Sequence, residues 1–227
     1  PETTNFTPIT ISSFKAYDIR GELGVTLDEA IAYRIGRAFA EILFKVYNLA
    51  TDTSDLKKLK PAIVIGSDIR DSSESLKQAT IAGILDSDVN VIDLGMTGTE
   101  EVYFATSYHQ ALGGIEVTAS HNPINYNGLK LVKEHSKPIS ADDGLAEIKA
   151  LAESGKFSAV DDKGQLQLLT DKSAYVDHVI DFIDIKKLKP LKIVMNSGNG
   201  SAGPVVDLLV DKLVQAKAPI KVIKLHH

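Results

Sequence analysis

The chain has 227 residues, of which 44% are hydrophobic and 24% charged; its formal net charge is −5 and it contains no cysteine. That length holds one or two domains with real cores, and the mild, spread negative charge argues against a general nucleic-acid binder, whose footprint is a basic stripe. The missing cysteines exclude disulfides, thiolate catalysis and cysteine-ligated zinc, and no apolar run approaches the ~20 residues that span a bilayer, so a cytoplasmic setting away from membranes is expected.

From Thr26 the pattern is helical. Thr26-x-x-Glu29 reads as a capping box, and Ile31, Ile35, Ala38, Phe39, Ile42, Leu43 and Val46 recur at three- and four-residue spacing. A polar, lysine-bearing connector from Thr51 to Lys60 leads to an apolar β-branched run, Ala62 to Ile65, ending at Gly66. Asp71-x-x-Glu74 then offers a helix start. Val89 to Leu94 reads as a strand, Thr99 to Gln110 as a helix and Gly114 to Thr118 as a strand. Asn125-Tyr126-Asn127-Gly128 reads as a turn before a further strand, Leu129 to Lys133, and Ser140 to Ala152 reads as a helix. The polar, glycine-bearing stretch Glu153 to Gln167 is placed as the boundary between a first domain, residues 1–160, and a second, residues 161–227. Beyond it, Lys172 to Ile185 and Ala202 to Ala216 read as helices, Leu191 to Met195 and Ile220 to Leu225 as strands.

Short apolar runs alternating with helical segments predict an α/β fold. Its sheet should be mixed and largely parallel, with helices on both faces, followed by a partial second α/β domain of similar type. Two strands and two helices cannot bury their own apolar surface, so missing C-terminal domains or a self-association partner would cover the second segment.

The chemistry concentrates in Thr118-Ala119-Ser120-His121-Asn122-Pro123, with Lys130 ten residues beyond the serine. Ser120 lies where a strand gives way to a loop, the common address of active-site groups in α/β proteins. Two chemistries are open: a Ser–His hydrolase, or a serine that stores a phosphoryl group. The first lacks the G-x-S-x-G elbow. Successive residues of an extended segment also face opposite sides, so His121 is expected to point away from Ser120.

Together with Phe14-Lys15-Ala16-Tyr17-Asp18-Ile19-Arg20-Gly21, Gly66-Ser67-Asp68-Ile69-Arg70, Gly98-Thr99-Glu100-Glu101 and Asn127-Gly128-Leu129-Lys130, this stretch resembles the N-terminal part of the α-D-phosphohexomutases. Bacterial phosphomannomutases are the members it is most similar to. The resemblance implies that Ser120 carries the phosphoryl group and, once phosphorylated, ligates Mg²⁺. It implies further that Lys130 is the general acid/base and that Tyr17, Arg20, His121 and Asn122 contact phosphate or sugar. A hexose 1,6-bisphosphate is the implied intermediate and activator, a phosphosugar the implied substrate.

Such enzymes have four domains in roughly twice this length and bind Mg²⁺ with a D-G-D-x-D-R loop, which has no counterpart here. The chain is therefore expected to correspond to the first domain and the start of the second, and to be inactive alone. The alternatives are a phosphoglucomutase of the same family, or a non-catalytic module that binds phosphosugars or another subunit. A nicotinamide-dependent oxidoreductase is disfavoured, because Asn196-Ser197-Gly198-Asn199-Gly200 matches no dinucleotide or P-loop pattern. Arg70 is expected to hold loop geometry; His109, His135 and His178 stand singly, without metal-ligand spacing.

Overall fold

The structure, a computed structural model, describes residues 4–50 and 61–227; the expected connector from Thr51 to Lys60 lies outside the described residues. In chain order the elements are β1 (Thr4–Asn5), β2 (Ile19–Glu22), α1 (Glu29–Ala50), β3 (Ala62–Ser67), α2 (Ser73–Leu85), β4 (Asn90–Met96), α3 (Thr99–Tyr108) and β5 (Gly113–Val117). They continue with β6 (Tyr126–Lys133), α4 (Ala146–Ser154), β7 (Lys156–Phe157), β8 (Leu166–Leu168), α5 (Ser173–Ile180), β9 (Leu191–Asn196), α6 (Ala202–Gln215) and β10 (Ile220–Leu225).

Six strands form one mixed sheet in the order β2-β6-β5-β3-β4-β8. The pairs β5–β3, β3–β4 and β4–β8 are parallel, while β6 runs antiparallel to both β5 and β2. Alternation along the central strands feeds both faces. Ile63, Ile65, Ile115, Val117, Leu129 and Leu131 pack with Ile35 and Phe39 of α1, Leu76 and Ile84 of α2, and Ile148 of α4. On the other face Val64 and Leu94 pack with Val102 and Ala105 of α3. An α/β fold with helices on both faces is thus observed, and β5, β3 and β4 present their C-terminal ends together.

Several local readings change. Thr26 does not cap α1: its hydroxyl accepts from the Glu22 backbone N–H at 2.8 Å, and Asp28 accepts from the Ile31 N–H at 2.8 Å instead. Helix α2 starts at Ser73 and not at Asp71. Val46 is exposed, so the buried stripe of α1 ends at Leu43. Ser140 to Ala152 is not one helix; a π turn over Ala141–Leu145, broken by Gly144 at φ +104, precedes α4.

Asn125 to Gly128 is not a free turn either, because β6 starts at Tyr126. Gly128 pairs with Arg20 across β2–β6, and a Cβ there would lie 2.1 Å from the Ile19 carbonyl oxygen. The glycine serves close strand approach.

The stretch placed as a boundary is partly ordered on the first sheet. Leu166–Leu168 pairs with Val91–Asp93, so that sheet includes residues past the expected division at 160. This edge strand is held by backbone hydrogen bonds, with Leu166 and Leu168 both exposed, and its alternation Gln165-Leu166-Gln167-Leu168 is too short to mark a strand in the sequence.

In the second segment β9 and β10 form a separate parallel pair. Leu191, Ile193, Val194 and Leu225 are exposed on it, as expected for so small a unit. Helix α5 ends at Ile180, short of the expected Ile185. No helix among the described residues is long and apolar enough to cross a membrane.

Candidate active site

The loop between β5 and β6 carries Ser120, His121 and Asn122. Ser120 is exposed and sits at φ +54, in the left-handed region that L-residues other than glycine and asparagine seldom adopt. A residue held there costs about 1–3 kcal/mol and persists only where its surroundings over-determine it.

Those surroundings are specific. The Ser120 N–H donates to Thr118 Oγ1 at 2.9 Å, and the Thr118 hydroxyl donates to Asp68 Oδ2 at 2.7 Å. On its other side the Ser120 carbonyl accepts from Arg70 Nη2 at 3.0 Å. The same guanidinium donates to the carbonyls of Asn122 at 2.6 Å, Pro123 at 2.8 Å and Tyr126 at 3.2 Å. Arg70 in turn lies 3.6 Å from Asp68 Oδ2 through Nε. Asp68 Oδ1 takes the Arg70 N–H at 3.1 Å and the Ser73 hydroxyl at 2.5 Å. One carboxylate at the end of β3 therefore buttresses both holds on Ser120, and one arginine gathers four loop carbonyls. The expected loop-holding role of Arg70 is what the structure shows.

Asp68 and Thr118 were given no role by sequence reasoning. The signal available was their position, each just past the C-terminal end of a parallel strand.

Arg20, only 12% exposed at its side chain, reaches the loop from β2. It donates through Nη1 to the Ala119 carbonyl and pairs through Nη2 with Asp18 Oδ2 at 2.8 Å. Its guanidinium thus stands against the residue preceding Ser120. Asn122 turns inward, its side-chain amide donating to the Ala119 carbonyl at 2.9 Å. That bond caps the turn before Pro123.

His121 is exposed, with Nδ1 3.4 Å from Ser120 Oγ. The expectation that it points away fails for a plain reason: at φ +54 the chain is not extended, so strand alternation does not apply. The contact is at the long limit for a hydrogen bond, and among the described residues no third group hydrogen-bonds to the ring.

Tyr17 is 78% exposed, and its hydroxyl makes no hydrogen bond among the described residues. Lys130 lies within β6, half-buried and opposite Glu116 of β5; its side-chain ammonium forms no hydrogen bond or ion pair among the described residues. The structure thus brings Ser120, His121, Asn122 and Arg20 together. It leaves Tyr17 and Lys130 outside that set of contacts.

Under the loop the environment is acidic. Glu116 is 1% exposed and accepts from the Thr97 hydroxyl at 2.7 Å. Burial pushes its carboxyl well above the ordinary range; Thr97 opposes the shift, while Asp68, Glu101 and Glu100 add to it. No group of three or more His, Cys, Asp or Glu side chains among the described residues could hold a metal ion. His178 packs between Phe104 and Phe182, at 5.0 Å from each ring. In the turn before α6, Gly198 at φ +61 and Asn199 at φ +53 allow a tight strand-to-helix turn.

Residues 12–159 match the family model described as phosphoglucomutase/phosphomannomutase, alpha/beta/alpha domain I. The chain belongs to this phosphohexomutase family. It is 52% identical over 217 residues to a phosphomannomutase of Vibrio cholerae serotype O1, covering 96% of this chain and 45% of that protein. With a phosphomannomutase of Escherichia coli it shares 49% identity over 220 residues, again 96% of this chain and 45% of the relative. A solved phosphoglucomutase/phosphomannomutase family protein from Burkholderia thailandensis superposes with a TM-score of 0.78 at 31% identity, covering 96% of this chain and 44% of the other. The chain spans about half the length of the curated relatives it matches. Phosphohexomutases are isomerases, and the doubly covered mixed sheet seen here is the fold of that solved relative.

Proposed function

We propose that the protein to which this chain belongs is a phosphomannomutase, in which Ser120 is the phosphoryl carrier. The observation that carries this reading is the exposed left-handed Ser120, held from Thr118 on one side and Arg70 on the other. A strained, over-determined hydroxyl at the end of a parallel strand suits a group that must be aimed. The names of the relatives at 52% and 49% identity favour mannose. A glucose-acting enzyme is the second reading, since the family model names both sugars.

In the first half-reaction phosphorylated Ser120 loses its phosphoryl group to the free hydroxyl of a hexose monophosphate. The P–O bond to the serine breaks, a P–O bond to the sugar forms, and the hydroxyl proton passes to Lys130 Nζ. The bound hexose 1,6-bisphosphate then turns over and returns its other phosphoryl group to Ser120, while the lysine gives the proton back. Arg20 would exchange its Asp18 partner for phosphate, which its planar fork suits. Tyr17, His121 and Asn122 would contact phosphate or sugar hydroxyls.

Mg²⁺ would neutralise charge on the transferring group, with Ser120 as one ligand. The described residues do not by themselves build a cage for it, so no step above runs through the ion. Residues 1–227 alone are accordingly proposed to be inactive, and the working enzyme to be cytoplasmic. The experiment is a ³¹P NMR assay of mannose 6-phosphate conversion by the full-length enzyme and by Ser120→Ala. Loss of turnover in the variant supports the carrier role; a full rate removes it.

A further inference from the structure

Three acidic side chains are buried among the described residues: Asp93, Glu101 and Glu116. The first two each face a cation, Asp93 with Lys77 at 3.1 Å and Glu101 with Lys172. Glu116 has none. Among the described residues its carboxyl has one hydrogen bond, from Thr97, and its seat is built around that bond. A Cβ on Gly66 would fall 1.9 Å from Thr97 Oγ1 and 3.1 Å from Glu116 Oε2, so the neighbouring strand is kept bare to admit the pair. A buried carboxyl that lacks a cation is costly, which makes this seat the exception to explain.

Directly across the ladder stands the complementary orphan. Glu116 and Lys130 are Cα partners on antiparallel β5 and β6. Opposite residues of such a pair share a face, with Cβ atoms roughly 4.5–5.5 Å apart. The face is the one under α3, since a Cβ on the alternate residue Gly114 would meet Val102 of α3 and Val132 of β6. Lys130 is half-buried there with no ion pair among the described residues, and its flexible four-carbon stem suits a reach across one strand spacing.

We infer that Glu116 is a positioning residue for Lys130, a cross-strand partner that draws the lysine ammonium onto the sheet. This rests on reading Lys130 as the general acid/base. The charged and titratable groups around Glu116 are Asp68 from the end of β3, Glu100, Glu101 and Tyr103 from α3, and Lys130 from β6. Among these Lys130 is the single cation. Burial and the three carboxylates favour the protonated carboxyl, so an ammonium drawn beside it is the group that would favour the ionised form.

The test uses the chain as it stands. Carboxyl ¹³C titration of Glu116 is compared between wild type, Lys130→Met and Lys130→Arg. Removing the ammonium is expected to move the Glu116 midpoint up by about half a unit or more, with Lys130→Arg close to wild type and the already paired Glu101 and Asp93 unmoved. A Glu116 midpoint identical in all three proteins overturns the pairing. In the full-length enzyme, Glu116→Gln is expected to shift a limb of the kcat/KM pH profile with KM nearly unchanged; an unaltered profile likewise overturns it. Should the midpoint respond while Lys130→Met retains full turnover, the pair stands and the acid/base reading of Lys130 falls.

Discussion

Arg70 Nη2 donates to the Ser120 carbonyl oxygen at 3.0 Å across fifty residues of sequence. The bond ties the exposed hydroxyl-bearing loop to the end of a central parallel strand. Because the same guanidinium holds three further carbonyls, the backbone oxygens of Asn122, Pro123 and Tyr126 turn toward the arginine as well.

Replacing Arg70 by lysine keeps the charge and loses the fork. A point donor cannot reach four carbonyls at once. In the full-length enzyme kcat is expected to fall by roughly 10- to 100-fold, the scale of an ångström-level misplacement, with KM changed less. Steady-state kinetics check this, with circular dichroism to show the fold intact.

Thr118 separates hydroxyl from shape. Thr118→Val removes the acceptor for the Ser120 N–H and the donor to Asp68, whereas Thr118→Ser keeps both. The valine variant is expected to lose about 1–3 kcal/mol and the serine variant markedly less. Urea denaturation reads the difference, and amide exchange at Ser120 should speed up in the valine variant alone.

Gly128→Ala tests the strand packing beneath the site. The added methyl would lie 2.1 Å from the Ile19 carbonyl, so β2, which carries Arg20, must move. A loss of about 1–3 kcal/mol in thermal or urea unfolding is expected.

Glu116 makes stability depend on pH in a stated direction. Its carboxyl titrates well above its ordinary 4.5 in the folded chain, so above that pH the folded state binds more protons than the unfolded state. The contribution is fully present below about 4.5 and is lost as pH rises through the folded value. Glu116→Gln has no proton to lose. It is expected to be more stable than wild type near neutral pH, with the gap closing toward pH 4.5, in paired urea melts.

Much of the fold was legible because its signals are local. The apolar β-branched runs of β3, β4 and β5 and the stripe from Ile31 to Leu43 state their burial directly in residue order. The edge strand at Leu166 was illegible because its alternation spans only four residues, Gln165 to Leu168, inside a polar, glycine-bearing stretch. Asn127-Gly128 misled because its chemistry fits a turn equally well, and only the approach of β2 decides the matter. At the site, Ser120, His121 and Asn122 announced themselves through one contiguous motif and Arg20 through a second, Phe14 to Gly21. Asp68 and Thr118 did not, since their part depends on contacts fifty residues apart. The turned face of His121 depended on a positive φ at a serine, which no residue type announces.

Intact-mass measurement bears most directly on the carrier role of Ser120. Full-length enzyme is incubated with mannose 1,6-bisphosphate, digested and mapped, with Ser120→Ala alongside. One phosphoryl group on the peptide containing Ser120, and none in the variant, is the predicted result. An unmodified Ser120 in an enzyme that is turning over substrate would contradict it.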